Sequence, residues 1–229
     1  LTQSHSGDMG PDFRLIARRY AQVNRWLSLG LDQRWRRHAA LAASPAPGEL
    51  VLDICTGTGD LALALWRSCP QCRITGIDAS REMLSIAAHQ SPDSGPCYQL
   101  GDALALPYAP ESYDLATMAF GLRNLRSRTE GLREARRVLR PGGRLVILEF
   151  AAPGRGPVGL LAGWWVRNAV PRLGALLGGH HGPYRYLSQS IVGFPHPESI
   201  AAEIEGVGFT GVTWQRLWPG VVVLYAGRK

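Results

Sequence analysis

The apolar run Val51-Leu52-Asp53-Ile54 passes through Cys55 and Thr56 into Gly57-Thr58-Gly59, and a helix-forming stretch opens at Asp60. A strand that turns through glycine into a helix leaves unpaired amides at the helix start. Glycines at 57 and 59 also let the backbone approach a ligand closely. The chain is therefore bound to build a sheet with a ligand site at one strand end. Gly57-Thr58-Gly59-Asp60-Leu61-Ala62 matches the fingerprint G-x-G-x-x-A, and Asp78 lies 19 residues past Gly59, where that fingerprint expects a ribose-binding acid. Taken alone, the motif fits a dinucleotide as well as other nucleosides.

Downstream, strand-like and helix-like segments alternate. The pattern predicts a helix over 60–66, a strand over 73–77, and a helix over 80–89 with Ser80 as its N-cap. Strands over 97–100 and 113–120 follow. A helix over 129–139 is expected to stop at Pro141-Gly142-Gly143, ahead of a fifth strand over 144–150. A helix over 197–205 and β-rich runs over 209–217 and 221–225 close the chain. Such alternation predicts an α/β, Rossmann-like fold: a mostly parallel seven-stranded sheet with helices on both faces.

At 229 residues one domain is the default. Within it, residues 1–47 form an N-terminal helical arm, 48–150 the cofactor-binding core, 151–195 a substrate-covering helical insertion after the fifth strand, and 196–229 the closing helix and strands. The arm reads as amphipathic: Phe13, Ile16, Tyr20, Val23, Leu27 and Leu31 recur at spacings of three and four. Pro45, Pro47 and Gly48 end it. The insertion carries Trp164, Trp165, His180, His181, Tyr184 and Tyr186, and an insertion of that length is more often functional than decorative.

The net charge of +7 rests almost wholly on arginine, since Lys229 is the only lysine among 25 basic residues. Such a balance attracts anionic partners in general, but no helix-turn-helix or zinc motif accompanies it, so nucleic acid is not expected as a partner. Four cysteines, at 55, 69, 72 and 97, are too irregular for a disulfide framework. Cys69-x-x-Cys72 lacks the second pair that would complete a tetrahedral zinc site, and no metal is expected. No stretch reaches the ~18 uninterrupted apolar residues of a membrane span. The chain reads as cytoplasmic, with contact at the inner face of the membrane and a homodimer both left open.

Electrostatics separates the candidate ligands. A nicotinamide or flavin dinucleotide would set a pyrophosphate against a helix start flanked by Asp53 and Asp60. At ~4 Å and an effective dielectric near 20, one like-charge pair costs about 4 kcal/mol. S-adenosylmethionine has no phosphate and offers an ammonium and a sulfonium, which these acids would attract. Asp78 would then accept from the ribose hydroxyls, and Asp102-Ala103 would read the adenine edge. The cofactor contacts expected are Asp53, Gly57, Thr58, Gly59, Asp78, Ala79, Asp102, Ala103 and Ala119.

More distinctive runs lie downstream of the glycine loop. They are Phe120-Gly121-Leu122-Arg123-Asn124, Arg137-Val138-Leu139-Arg140-Pro141-Gly142-Gly143 with Leu148-Glu149-Phe150, Tyr184-Arg185-Tyr186-Leu187 with Ser190, and Gly220-Val221-Val222. In this order they resemble the ubiquinone and menaquinone biosynthesis C-methyltransferases, from about Ile16 to Arg228. The resemblance implies a class I S-adenosylmethionine-dependent methyltransferase acting on a ring carbon of a polyprenylated benzoquinol or naphthoquinol. By similarity Thr58, Asp78, Asp102 and Ala103 would touch the cofactor. The chain departs from the family at Ala119, where Ser is common, and at Tyr20-Ala21-Gln22-Val23-Asn24, where the family has Tyr-Asp-x-Met-Asn.

A ring carbon becomes nucleophilic once the neighbouring phenol ionises. Arg123 and Asn124 are the candidates for holding and activating the quinol oxygen, with Tyr184 beside them and Tyr20 and Tyr186 lining the pocket. His180 or His181 could serve as the base. Trp164 and Trp165, with Leu160 and Leu161, would admit an isoprenoid tail or touch the bilayer interface. Rival readings are a methyltransferase for another aromatic or sterol-like molecule, an NAD(P)-dependent oxidoreductase, and a noncatalytic basic module.

Overall fold

A computed structural model of the chain describes residues 28–154, 156–173 and 181–229. The first helix, α1 (Leu31–Ala43), buries Trp35, Ala39, Ala40 and Ala43 along one face. The single helical face expected to run through Leu31 does not pass unbroken into α1. Leu29 (φ 53°) and Gly30 (φ 76°) are left-handed, and α1 starts afresh after them. The part of that face ahead of residue 28 lies outside the described residues. Pro45 ends α1 as expected, after Ser44 turns left-handed and its amide returns to the Ala40 carbonyl.

The core then alternates β1 (Leu50–Ile54), α2 (Asp60–Ser68), β2 (Arg73–Asp78), α3 (Arg81–Gln90), β3 (Cys97–Leu100), β4 (Tyr113–Ala119), α4 (Arg128–Val138) and β5 (Leu139–Phe150). Ser80 caps α3 as its sequence suggested, accepting from the Met83 amide. The remainder is α5 (Pro157–Trp164), which runs into a π-helical turn (Trp165–Ala169), then α6 (His181–Val192), α7 (Pro197–Gly206), β6 (Thr210–Leu217) and β7 (Val222–Arg228).

All seven strands form one sheet in the order β3-β2-β1-β4-β5-β7-β6. The first five are parallel, and β7 inserts antiparallel to both β5 and β6. Strand alternation sends Leu52 and Ile54 into one core with Leu132, Ala135, Ile200 and Ile204 of α4 and α7. Val51 joins the opposite core with Trp35, Ala39, Leu61 and Leu65 of α1 and α2. The expected layered α/β sheet is what the chain builds.

One boundary moves. The helix expected to reach 139 ends at Val138, and β5 starts at Leu139, five residues before the expected strand. Leu139 already pairs with Tyr113. The ladder then shifts register before Leu115 meets Arg144. Gly142, at φ 77°, supplies the turn inside that irregularity, so the Pro-Gly-Gly run bulges a strand instead of preceding one.

The sheet order reverses between β1 and β4. The carboxyl ends of these strands, with those of β2 and β5, frame the crevice where open α/β sheets bind ligands.

Candidate active site

The crevice is built on a strained turn. After β1 the chain passes through Cys55 at φ 56°, Gly57 at φ 55° and Gly59 at φ 79°. Only glycine adopts such angles freely, and a non-glycine residue there costs on the order of 1–3 kcal/mol. Gly59 is needed for space as well: a Cβ there would lie 2.5 Å from the Tyr98 hydroxyl. Burial pushes the Cys55 thiol well above its ordinary range, and the nearby Asp78 and Asp53 charges push it the same way. It therefore stays a thiol, unsuited to act as a nucleophile.

Asp53 lies beneath this turn, not on its open side. It is 1% exposed, and its two oxygens accept from Thr117 Oγ1 at 2.7 Å and Thr56 Oγ1 at 2.6 Å. Burial raises its pKa to about 6, with those two hydroxyls pulling the other way. Asp53 thus ties the loop to β4. Unlike Asp53, the acids Asp60 and Asp78 are half-buried and Asp102 is exposed. Thr58 donates its hydroxyl to Asp60 at 2.6 Å, and its carbonyl accepts from Gln90.

Asp78 ends β2 and holds the loop from the other side. Its Oδ2 accepts from the Gly57 amide at 2.8 Å and its Oδ1 from the Ser80 amide at 2.9 Å. Burial raises its pKa, against those same amides. A carboxylate has about four acceptor positions; the amides of Ser80, Gly57 and Ala79 all bear on this one, which leaves room for a neighbouring hydroxyl. Ala79, next along, is exposed. Beyond β3, Asp102 caps its own turn through the Leu104 amide and meets exposed Arg126 at 3.1 Å, with Ala103 buried behind it. A nucleoside's ribose, base and cationic tail fit this order of groups: a hydroxyl acceptor, an acid with a buried wall, and an acid-flanked glycine loop.

The second half of the site starts one residue past β4. Ala119 is followed by Phe120 at φ 59°. The amide of Phe120 donates to the Leu148 carbonyl, and its own carbonyl accepts from Arg123 Nη1 at 2.6 Å and Asn124 Nδ2 at 3.2 Å. Arg123 and Asn124 thus pin a strained corner. Arg123 Nη1 also donates to Glu149 Oε1 at 2.7 Å, and the pair is 2% and 0% exposed. Glu149 takes the Arg123 amide on Oε2 and the Phe150 amide on Oε1. The guanidinium lies 5.1 Å from the centre of the Phe150 ring, and its Nε–H has no partner.

Arg123 lines a cavity of about 330 Å³, most of whose walls are not the residues expected from the sequence. Its walls are Trp35 of α1, Phe120, Phe150, Trp165, Val166 and Trp218. Trp35 stands edge-on to both Phe120 and Phe150, and its indole donates to the Trp218 carbonyl at 2.8 Å. Among the described residues the charged and hydroxyl groups on its wall are Ser28, Asp32, Arg36 and Arg123. Ser28 Oγ donates to Asp32 at 3.0 Å, and Arg36, 3.4 Å from Asp32, lies over the Phe120 ring. Phe120 therefore serves as a shared wall, with the glycine loop behind it and the aromatic cavity in front. The abutment is tight, since a Cβ on Gly121 would fall 2.5 Å from Cys55 Cβ.

Of the expected substrate residues, Tyr20 and His180 lie outside the described residues. The side chains of Tyr184, Tyr186 and His181 do too, although their backbone belongs to α6. Cys69 and Cys72 are both buried, and Cys72 donates to the Ala46 carbonyl. Among the described residues there is no cluster of potential metal ligands, and no helix is long and apolar enough to cross a membrane.

The pattern of the ubiE/COQ5 methyltransferase family matches residues 2–229. The chain belongs to this family. It is 42% identical over 219 residues to the demethylmenaquinone methyltransferase of Deinococcus radiodurans, covering 95% of this chain and 90% of that protein. To the protein of the same name from Thermus thermophilus it is 43% identical over 220 residues, covering 95% and 99%. Its fold is shared with the solved structure of phosphoethanolamine N-methyltransferase 2 of Haemonchus contortus in complex with S-adenosyl-L-methionine. The TM-score there is 0.62 at 16% identity, over 83% of this chain and 52% of that one. The quinone-methyltransferase resemblance drawn from the motifs is thereby upheld.

Proposed function

We propose that this chain methylates a ring carbon of a polyprenylated quinol, a demethylmenaquinol or a ubiquinone precursor, using S-adenosylmethionine. The observation that carries the reading is the position of Phe120: the glycine turn with its neighbouring acids lies on one side, and on the other an aromatic cavity whose described lining has few polar side chains. The two relatives named above, both demethylmenaquinone methyltransferases, make a naphthoquinol the first substrate to try. Such a lipid-soluble substrate places the enzyme's encounter with it at the inner face of the membrane.

When bound, S-adenosylmethionine supplies a methyl group on a sulfonium. Asp78 takes a ribose hydroxyl on its remaining acceptor capacity, Asp102 and Ala103 border the base, and Asp60 with buried Asp53 favours the cationic tail. Trp35, Phe120 and Phe150 hold the quinol ring toward the groove and exclude water. Positioning of this kind supplies on the order of 7–11 kcal/mol. Arg123, fixed by Glu149, lines the cavity and stabilises the phenolate through its positive charge. Asp32 is the sole carboxylate among the described cavity-lining residues, and it accepts the phenol proton. The ring proton released when the new carbon–carbon bond forms leaves to solvent.

Titration calorimetry with S-adenosylmethionine and its demethylated product tests the reading. Asp78→Ala should weaken both severely. Arg123→Lys, which keeps a cation against Glu149, should leave both affinities unchanged and lose turnover. Retention of tight binding by Asp78→Ala would overturn the cofactor assignment. An unchanged quinone profile in a deletion strain would point to another aromatic acceptor.

A further inference from the structure

The cavity described above opens through a rim that is itself apolar and exposed. Leu29 (73% exposed), Val158, Leu161 and Trp218 (69%) line the cavity and face solvent at the same time. Beside them, Leu160 and Trp164 continue the apolar surface along α5 without lining the cavity, 67% and 54% exposed. Helix α5 is apolar nearly all round, and a helix of that kind needs apolar surroundings on every side. Among the described residues they are supplied on the inner side alone, and Leu160, Leu161 and Trp164 stay exposed.

Charge identifies what lies on the outer side. Between Glu149 and Glu198 the sequence has no Asp or Glu, in a chain that carries 18. The same stretch contains Arg155, Arg167, Arg172 and Arg185. Arg167 and Arg172, on the helical turns continuing from α5, are exposed, as is Arg185 on α6. A protein partner's core would match the apolar residues but not the exposed Arg167, Arg172 and Arg185, which have no acid near them in sequence. A bilayer bearing anionic headgroups matches both: acyl chains take the leucines and tryptophans, while phosphates take the guanidiniums.

We propose that α5, the turns after it and Trp218 form a docking face for an anionic lipid bilayer, with the cavity mouth turned into the acyl region. The inference rests on the quinol reading for its purpose. The quinol ring enters across the Leu29–Trp218 rim while its tail stays among the lipids, so no polyprenyl chain has to cross water. The docking itself requires neither quinol nor cofactor, and it is tested without them.

The experiment is co-sedimentation of the full chain with sucrose-loaded vesicles of phosphatidylcholine alone, or of phosphatidylcholine mixed with phosphatidylglycerol. Wild type should pellet with the mixed vesicles and far less with the neutral ones. Leu160→Glu with Trp164→Glu should cut binding at least about tenfold. Removing Arg167 or Arg172 should cost about fivefold each, with the loss steepest at low salt. Melting temperature, cofactor affinity and turnover of a tail-free quinol should be unchanged in all of these variants, which separates loss of docking from loss of the site. Wild type left in the supernatant with mixed vesicles would overturn the proposal. So would equal binding to both vesicle types, binding of the double variant at the wild-type level, or a second copy of the chain found covering Trp164 in solution.

Discussion

Replacing Asp53 by Asn isolates the electrostatic tension at the centre of the site. The carboxyl is fully buried, its two oxygens take the Thr56 and Thr117 hydroxyls, and its pKa is raised from 3.8 to about 6. A carboxyl with a raised folded-state pKa binds its proton more tightly in the fold than in the unfolded chain. Stability is therefore lost as pH rises from about 4 through about 6, and it stays low above that. Two pKa units at 1.36 kcal/mol each give a loss of about 3 kcal/mol. Asn carries no charge at any pH; one Thr hydroxyl still donates to its amide oxygen, and the other can turn to accept from its NH₂. Urea unfolding of both proteins from pH 4 to pH 8, without cofactor, gives a difference curve from which other titrating groups cancel. Wild type should fall by about 2.5 kcal/mol relative to Asp53→Asn across that range, the rest having been lost below about pH 4. A flat difference curve, within about 0.5 kcal/mol, would refute the reasoning.

Other perturbations probe separate parts of the site. Glu149→Gln should destabilise the fold by about 3–5 kcal/mol in the same unfolding assay, because it leaves the buried Arg123 charge uncompensated and turns an amide NH₂ toward a donor. Asp32→Asn keeps the Ser28 contact within reach but removes the proton acceptor. Its kcat should fall about 10²-fold or more with KM and cofactor affinity unchanged, and Asp32→Glu should restore part of the rate. Gly59→Ala should cost at least about 1–2 kcal/mol from its left-handed backbone alone and should abolish cofactor binding, with partial recovery in a Tyr98→Ala background, as read by unfolding and calorimetry.

Much of the fold was legible because local signals and topology agreed. The glycine turn after β1, the Ser80 cap and the alternation of short apolar runs with amphipathic helices each follow from a few neighbouring residues. Local reading failed where the ladder overrode it: the Pro141-Gly142-Gly143 breaker sits inside β5 because Leu139 finds a partner in Tyr113. The sequence marked Asp53 as a groove acid because acids next to glycines normally face the ligand. It could not show that Thr117, 64 residues away, would draw that carboxylate inward. Nor could periodicity find the aromatic cavity, whose walls come from α1, the ends of β4 and β5, the insertion and the Trp218 turn. The Leu148-Glu149-Phe150 motif signalled that these residues mattered, while the role of Glu149 emerges only from its contacts with Arg123.

The most direct measurement follows the methyl group. Purified protein, demethylmenaquinol in anionic vesicles and S-adenosylmethionine carrying a deuterated methyl should yield a quinol whose label resides on a ring carbon. Mass spectrometry and NMR would locate it. No labelled quinol, or a label found on oxygen, would contradict the account.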